Sequence, residues 1–245
     1  MARTSDSAFS KSPESLVERF TPVADNGAAQ EEEMKGSPNF IAAKLEAILR
    51  SRCDLAGQGE ADRTLDSITR FFEGLEGKRL SKPELLRRAA EAVRKTFGFE
   101  EVTVLTECDD GLFRYTIVLG YTQKAEEELK PLAYRGDQVL EPDSTPIVKI
   151  NKYLDMTIAE AEQRPDQKVG YTHPVLINMP RKSLEEFVYG DYLDVYVFGS
   201  GDRILAVFEL SAPRDRKMPS ALKLKWLRLF AIILGNVMEH QTDDK

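Results

Sequence analysis

At 245 residues the chain is long enough for one large domain, or a medium domain with appendages, and can bury a sizeable core. Its 34 basic against 41 acidic side chains, a net charge of −7, exclude the concentrated cationic footprint that phosphate recognition needs, so no nucleic-acid partner is expected. Two cysteines exclude a disulfide framework and no Cys/His cluster has zinc spacing, so no metal is expected and a reducing cytoplasm is the expected location.

The first segment, 1–36, is rich in Ser, Ala, Pro and acid, with Glu31, Glu32 and Glu33 in a row. Its sparse apolar side chains offer little burial to offset chain entropy, which predicts a disordered tail, and no apolar run marks Met1–Ser10 as a leader. A helical extension is expected over 37–80. Ser37 and Pro38 suit a helix start, and Ile41, Leu45, Ile48 and Leu49 then form one stripe before Gly57. A second helix is expected at 62–75, where Leu65, Ile68, Phe72 and Leu75 make the seam of a paired helix.

The third helix has the clearest ends. Ser81 and Glu84 form a capping box, Gly98 supplies the stop, and Leu85, Leu86, Ala89, Ala90, Val93 and Phe97 share a face. The period then changes. Strands are expected at 102–106 and 113–118 around Asp109-Asp110-Gly111, a hairpin turn. The middle is mixed: 123–132 reads as a helix, Pro142 and Pro146 interrupt the next stretch, and Thr157 with Glu160 opens a short helix through Gln163. A strand is expected over 173–178 and a helical turn at Ser183–Glu186. A second hairpin joins 192–198 to 203–210, and Ser220 caps a long helix to about His240.

That last helix carries two apolar stripes, one of Leu222, Trp226, Leu229, Ile233 and Val237, the other of Leu224, Leu227, Phe230, Leu234 and Met238. Its longest charge-free run, Leu229 to Met238, rises about 15 Å as a helix, half a bilayer core, so no membrane span is expected. One stripe suffices to cover a sheet. The second is expected either against the early helices or in a homodimer through Leu224, Leu227, Phe230, Leu234 and helix 62–75.

Residues from about 81 to 241 resemble a GAF domain, a PAS-like small-molecule sensory module. The resemblance rests on the closing hairpin from Asp194 to Leu210, the link from Ala212 to Ser220 into the last helix, and Gly120-Tyr121 after the second strand. It implies an α+β fold, with an antiparallel sheet carrying the terminal helices on one face. Loops and short helices of 121–190 would cover the other face and enclose a pocket. It also implies a sensory role, in which a bound metabolite signals through the terminal helices to a separate output protein.

The chemistries such domains host leave the cofactor unassigned. Cys53 and Cys108 lie in a helical preamble and a turn, where a bilin-attaching cysteine does not fit. His173 is the one candidate haem ligand within the domain, and Asn151-Lys152 echoes only part of a cyclic-nucleotide motif. For a ligand the residues offer aromatic walls and a few charges, namely Tyr115, Arg135, Lys149, Tyr153, His173, Asp194 and Tyr196, which suit an anionic or planar metabolite. Strand alternation puts Asp194, Tyr196 and Phe198 on one face against Leu193, Val195 and Val197, and sets Tyr115 and Ile117 together against Arg114 and Thr116. Two other readings stand beside the sensor: a dimerisation or scaffold module whose pocket is filled by its own side chains, and a redox enzyme using Cys108.

Overall fold

The computed structural model describes residues 38–54, 61–140, 147–159 and 170–242. The tail expected over 1–36, the prolines at 142 and 146, and most of the helix expected from Thr157 lie outside them. The chain begins with helices α1 (Pro38–Asp54), α2 (Ala61–Glu73) and α3 (Lys82–Phe97). The ends of α3 follow from its caps: the Ser81 hydroxyl accepts the Glu84 N–H at 3.4 Å, and Gly98 takes the left-handed conformation that ends the helix.

Seven strands come next: β1 (Phe99–Glu107), β2 (Phe113–Leu119), β3 (Ala133–Tyr134), β4 (Ile147–Asn151), β5 (Leu154–Thr157), β6 (Tyr192–Phe198) and β7 (Ile204–Pro213). Short helices α4 (Gln123–Leu129) and α5 (Gly136–Leu140) lie on either side of β3, and α6 (Ala221–Thr242) ends the described chain, its start capped by Ser220. The strands form one antiparallel sheet in the order β3-β2-β1-β7-β6-β5-β4. The two strands most distant in sequence, β1 and β7, lie side by side at its centre. This is an α+β architecture built on one antiparallel sheet, the fold class expected from the sequence.

The middle of the chain departs from expectation in two places. Residues 147–157 form the β4–β5 hairpin, which extends the sheet, and Thr157 ends a strand rather than opening a helix. Strand-forming Ile, Val and Met alternate there, and pairing with β6 outweighs the capping signal. Conversely, Pro174–Asn178 is a turn of 3-10 helix, with Leu176 N–H bonded to the His173 carbonyl and Met179 N–H to that of Leu176. Pro174 lacks an N–H and has φ preset for a first helical position, so the turn forms where a strand would lose a ladder bond.

All four long helices share one face of the sheet. Leu45 and Leu49 of α1, Ile68 of α2, the apolar face of α3 and the inner stripe of α6 pack in one core with Val102, Val104, Leu193, Val195, Val197, Ala206, Phe208 and Leu210. Leu224, Leu227, Phe230 and Leu234 are at most 2% exposed within a single chain. Of the two arrangements expected for that stripe, the one against the early helices and the sheet is found within a single chain. Phe230 meets Phe71 and Phe72 of α2 at ring-centroid distances of 5.2 and 5.3 Å. The other stripe, from Leu222 to Val237, is the half-exposed one.

Gly235 sets how closely α6 approaches, since a Cβ there would sit 2.2 Å from the Phe198 carbonyl oxygen of β6. At its C-terminal end α6 is tied to the β6–β7 turn, where the Glu239 carboxylate accepts the Ser200 N–H and, at 3.0 Å, its hydroxyl.

Candidate functional site

The opposite face of the sheet is built differently. Each strand there exposes the alternate set of residues, and pairing brings the polar members into rows. Thr103 of β1 stands opposite Glu209 of β7, Glu209 opposite Asp194 of β6, Asp194 opposite Asp155 of β5, and Asp155 opposite Lys149 of β4. Directly opposed side chains lie about 5 Å apart at Cβ, so Glu209, Asp194 and Asp155 form three adjacent carboxylates. In the next row Glu101 pairs with Ser211, and Tyr192 with Thr157.

Tyrosines surround these rows. The Tyr115 hydroxyl donates to Glu209 Oε1 at 3.1 Å, and the Thr103 hydroxyl to Oε2 at 2.9 Å. Glu101 accepts from Ser211 at 2.8 Å and from Tyr189 at 3.4 Å, and Tyr121 shares a 3.3 Å bond with Ser211. Tyr171 lies against Tyr189 and Tyr192 at centroid distances of 5.9 and 6.2 Å, Tyr134 against Tyr115 at 6.0 Å.

Two backbone features aim these rings. A bulge in β2 lets Ile117 pair with Val104 while Tyr115 pairs with Leu105. The extra residue, Thr116, sends neighbours two apart to opposite faces, so Ile117 joins the helix-side core and Tyr115 the smaller apolar cluster on the polar side. The expectation that Tyr115 and Ile117 share a face is thereby overturned. Gly120 then turns the chain toward Tyr121 at φ +85°, where a Cβ would lie 1.9 Å from the Glu100 carbonyl oxygen.

The electrostatics follow from burial. Desolvation pushes the Glu209 carboxyl above its ordinary range, against the pull of Thr103 and Tyr115. Asp194 is raised well above the usual carboxylate value by desolvation and then by the charges of Glu209 and Asp155; Thr157, donating at 3.4 Å, opposes this weakly. Desolvation lifts Asp155 to about 6, with Lys149 pulling the other way. Burial also holds the hydroxyls of Tyr115, Tyr121 and Tyr192 protonated, as donors. Among the described residues, no cation pairs with Glu209 or Asp194, and the Thr157 bond is the one Asp194 accepts. No group of three His, Cys, Asp or Glu among them is arranged to hold a metal ion.

Of the residues expected at a site, Tyr115, Asp194 and Tyr196 face this surface, and Lys149 stands at the edge of its central row. The others lie elsewhere. Arg135 is exposed and paired with Asp137 at 3.0 Å, Tyr153 packs against Phe198 and Arg228, and His173 is exposed beside Tyr189. Cys108 follows β1 at the hairpin, its sulfur 3.8 Å from the Thr106 carbonyl; Cys53's side chain is outside the described residues. The structure adds Glu101, Asp155 and Glu209, which the sequence reading does not single out. Asp155 and Glu209 do carry a signal in the sequence: each is an isolated acid between apolar residues of a strand, where a surface role would need a solvated face.

The cover over this face is anchored at Asp191, fully buried just before β6. Its carboxylate takes Arg181 at 2.7 Å and the N–H groups of Ala159 and Val188 at 2.9 Å each, joining 181–191 to the end of β5.

No protein-family model and no curated protein matches the chain. Solved structures similar to it include the GAF domain from Acinetobacter phosphoenolpyruvate-protein phosphotransferase, at 12% identity and TM-score 0.47, covering 74% of this chain and 95% of that one. The GAF domain of the Coxiella burnetii phosphoenolpyruvate-protein phosphotransferase gives 13%, 0.47, 74% and 96%, and the GAF domain/HD domain protein from Geobacter sulfurreducens 13%, 0.47, 69% and 100%. What the site does must be read from its own residues. Among the described residues, no helix is long and apolar enough to cross a membrane.

Proposed function

We propose that the protein is a sensory module whose input is a small organic cation, an amine or guanidinium compound, held on the tyrosine- and carboxylate-lined face of the sheet. The observation that carries this reading is Asp194, a carboxylate set between Glu209 and Asp155 with a single weak hydrogen bond. Three adjacent acids, of which only Asp155 has a cation beside it (Lys149), repel one another and retain protons. A cation placed over them removes both penalties, and tyrosine faces attract it as well. An anionic metabolite, one of the two ligand types expected from the sequence, has less support, because Arg135 points its charge at Asp137 and Lys149 stands exposed at the edge of the row.

Signalling has a physical route in this reading. The hairpin β6–β7 carries both Asp194 and Glu209, and its turn is bonded to Glu239 of α6. Reordering of the acids is thus transmitted to the terminal helix and from there to a separate output protein. A scaffold with a self-filled pocket is the second reading, favoured by Glu209, both of whose oxygens already have donors.

A thermal-shift screen of amines, guanidinium compounds and organic acids tests the proposal. A true ligand at 100 times its dissociation constant adds ~2.7 kcal/mol, a rise of about 5–10 °C for a domain of this size. The rise should be confined to cations, grow with pH as the acids, held above their ordinary range by burial, ionise, and vanish in Asp194→Asn. No shift with any cation, together with an unchanged or higher melting temperature for Asp194→Asn, would favour the scaffold.

A further inference from the structure

On the helical side, α2 and α3 enclose a groove of about 820 Å³, lined by Arg63, Thr64, Ser67, Arg70, Phe71, Ala92, Lys95 and Thr96. Three of these are cations and none is an acid, on a protein whose net charge is −7. The acids nearest in sequence, Asp62 and Asp66 of α2 and Glu91 of α3, lie outside the lining. Among the described residues neither Arg63 nor Lys95 has an ion-pair partner, and Arg70 bonds only to its own helix, at the Asp66 carbonyl. Helix α3 as a whole carries Lys82, Arg87, Arg88, Arg94 and Lys95 against Glu84 and Glu91.

The spacing of the cations selects an occupant. Arg63 and Arg70 are separated by two helical turns, about 10 Å along α2, with Lys95 facing them from α3. A compact anion needs its cations gathered at one point. Charges spread along a groove match acids at intervals along a peptide, roughly every third residue of an extended chain. The floor is apolar where Phe71 and Ala92 meet it, and Phe71 packs on Phe230 of α6 at 5.2 Å. A peptide with apolar residues between its acids thus finds an apolar contact at Phe71, which in turn packs on the helix that closes the core.

We infer that the α2–α3 groove docks an acidic, apolar-containing peptide segment of a partner protein. This surface lies on the opposite side of the sheet from the carboxylate row, and the inference stands whether or not that row takes a cation.

The full-length protein should bind a short fluorescein-labelled peptide of interspersed glutamate and leucine saturably by anisotropy, and the same peptide with lysine for glutamate should not bind. Arg70→Glu and Lys95→Glu should each weaken binding by about tenfold or more, while Arg87→Glu, elsewhere on α3, changes it little. The double reversal Arg63→Glu/Lys95→Glu should gain affinity for the lysine peptide, an outcome that a merely misfolded variant cannot give. Three results would overturn the inference: equal loss in Arg87→Glu, no gain of the lysine peptide by the reversed protein, or displacement of the peptide by stoichiometric inorganic phosphate, which would make the groove a small-anion site.

Discussion

The two faces of the sheet bury their residues by different rules, though the same strands supply both. On the helical face Val102, Val104, Leu193, Val195, Val197, Phe208 and Leu210 meet four long helices, and the packing is apolar throughout. On the other face the neighbouring residues of the same strands are Glu101, Thr103, Asp194, Glu209 and Ser211, under a cover of tyrosines and short segments. The first face gains stability from area removed from water. The second gives up part of that gain to keep acids out of water, a cost that only hydrogen bonds, retained protons or a bound cation can offset. A fold that needed stability alone would fill both faces with valine and leucine, so the polar face is where function is to be sought.

The sharpest way to break the contrast is at Asp191, a buried acid that has a full set of partners. Asp191→Ala leaves Arg181 buried without its charge partner and should cost about 3–5 kcal/mol, read from denaturant midpoints. The helical face should respond in its own way: Leu227→Ala opens a cavity in the core and should cost about 2–5 kcal/mol without changing the pH dependence of stability.

The carboxylate row predicts a smaller, pH-dependent effect. The acids of that row have folded-state pKa values above their unfolded ones, so the folded chain holds more protons and stability falls as pH rises. For Asp155 the fall runs from about pH 4 to about pH 6, and Asp155→Asn should flatten it in urea titrations at a series of pH values. Smallest of all, Leu222→Ala on the half-exposed stripe of α6 should cost roughly 1 kcal/mol, about half the value of a fully buried side chain. A loss as large as that of Leu227→Ala would mean that the outer stripe is buried in solution against another copy.

Local chemistry made much of the fold legible. Ser81, Glu84 and Gly98 mark the ends of α3 because caps act within a single turn, and Ser220 does the same for α6. Alternation in 192–198 separates Asp194 and Tyr196 from Leu193 and Val195, since a strand has period two whatever it pairs with. The antiparallel hairpins, the helical start at Pro38 and the apolar stripes of α6 are of the same local kind.

Tertiary structure decided the rest. Thr103 and Glu209 are bonded across 106 residues of sequence, and nothing near either one announces the other. Whether Leu227 faces a second copy or its own early helices depends on where α1 and α2 come to rest, and the burial of Leu45, Leu49 and Ile68 beneath them settles it within the chain. The bulge at Thr116, which moves Tyr115 to the polar face, arises from the register of β1 against β2. Alternation, caps and apolar periodicity are properties of a few consecutive residues; the gathering of three acids into one row is a property of strand register, which exists only once the whole sheet has formed.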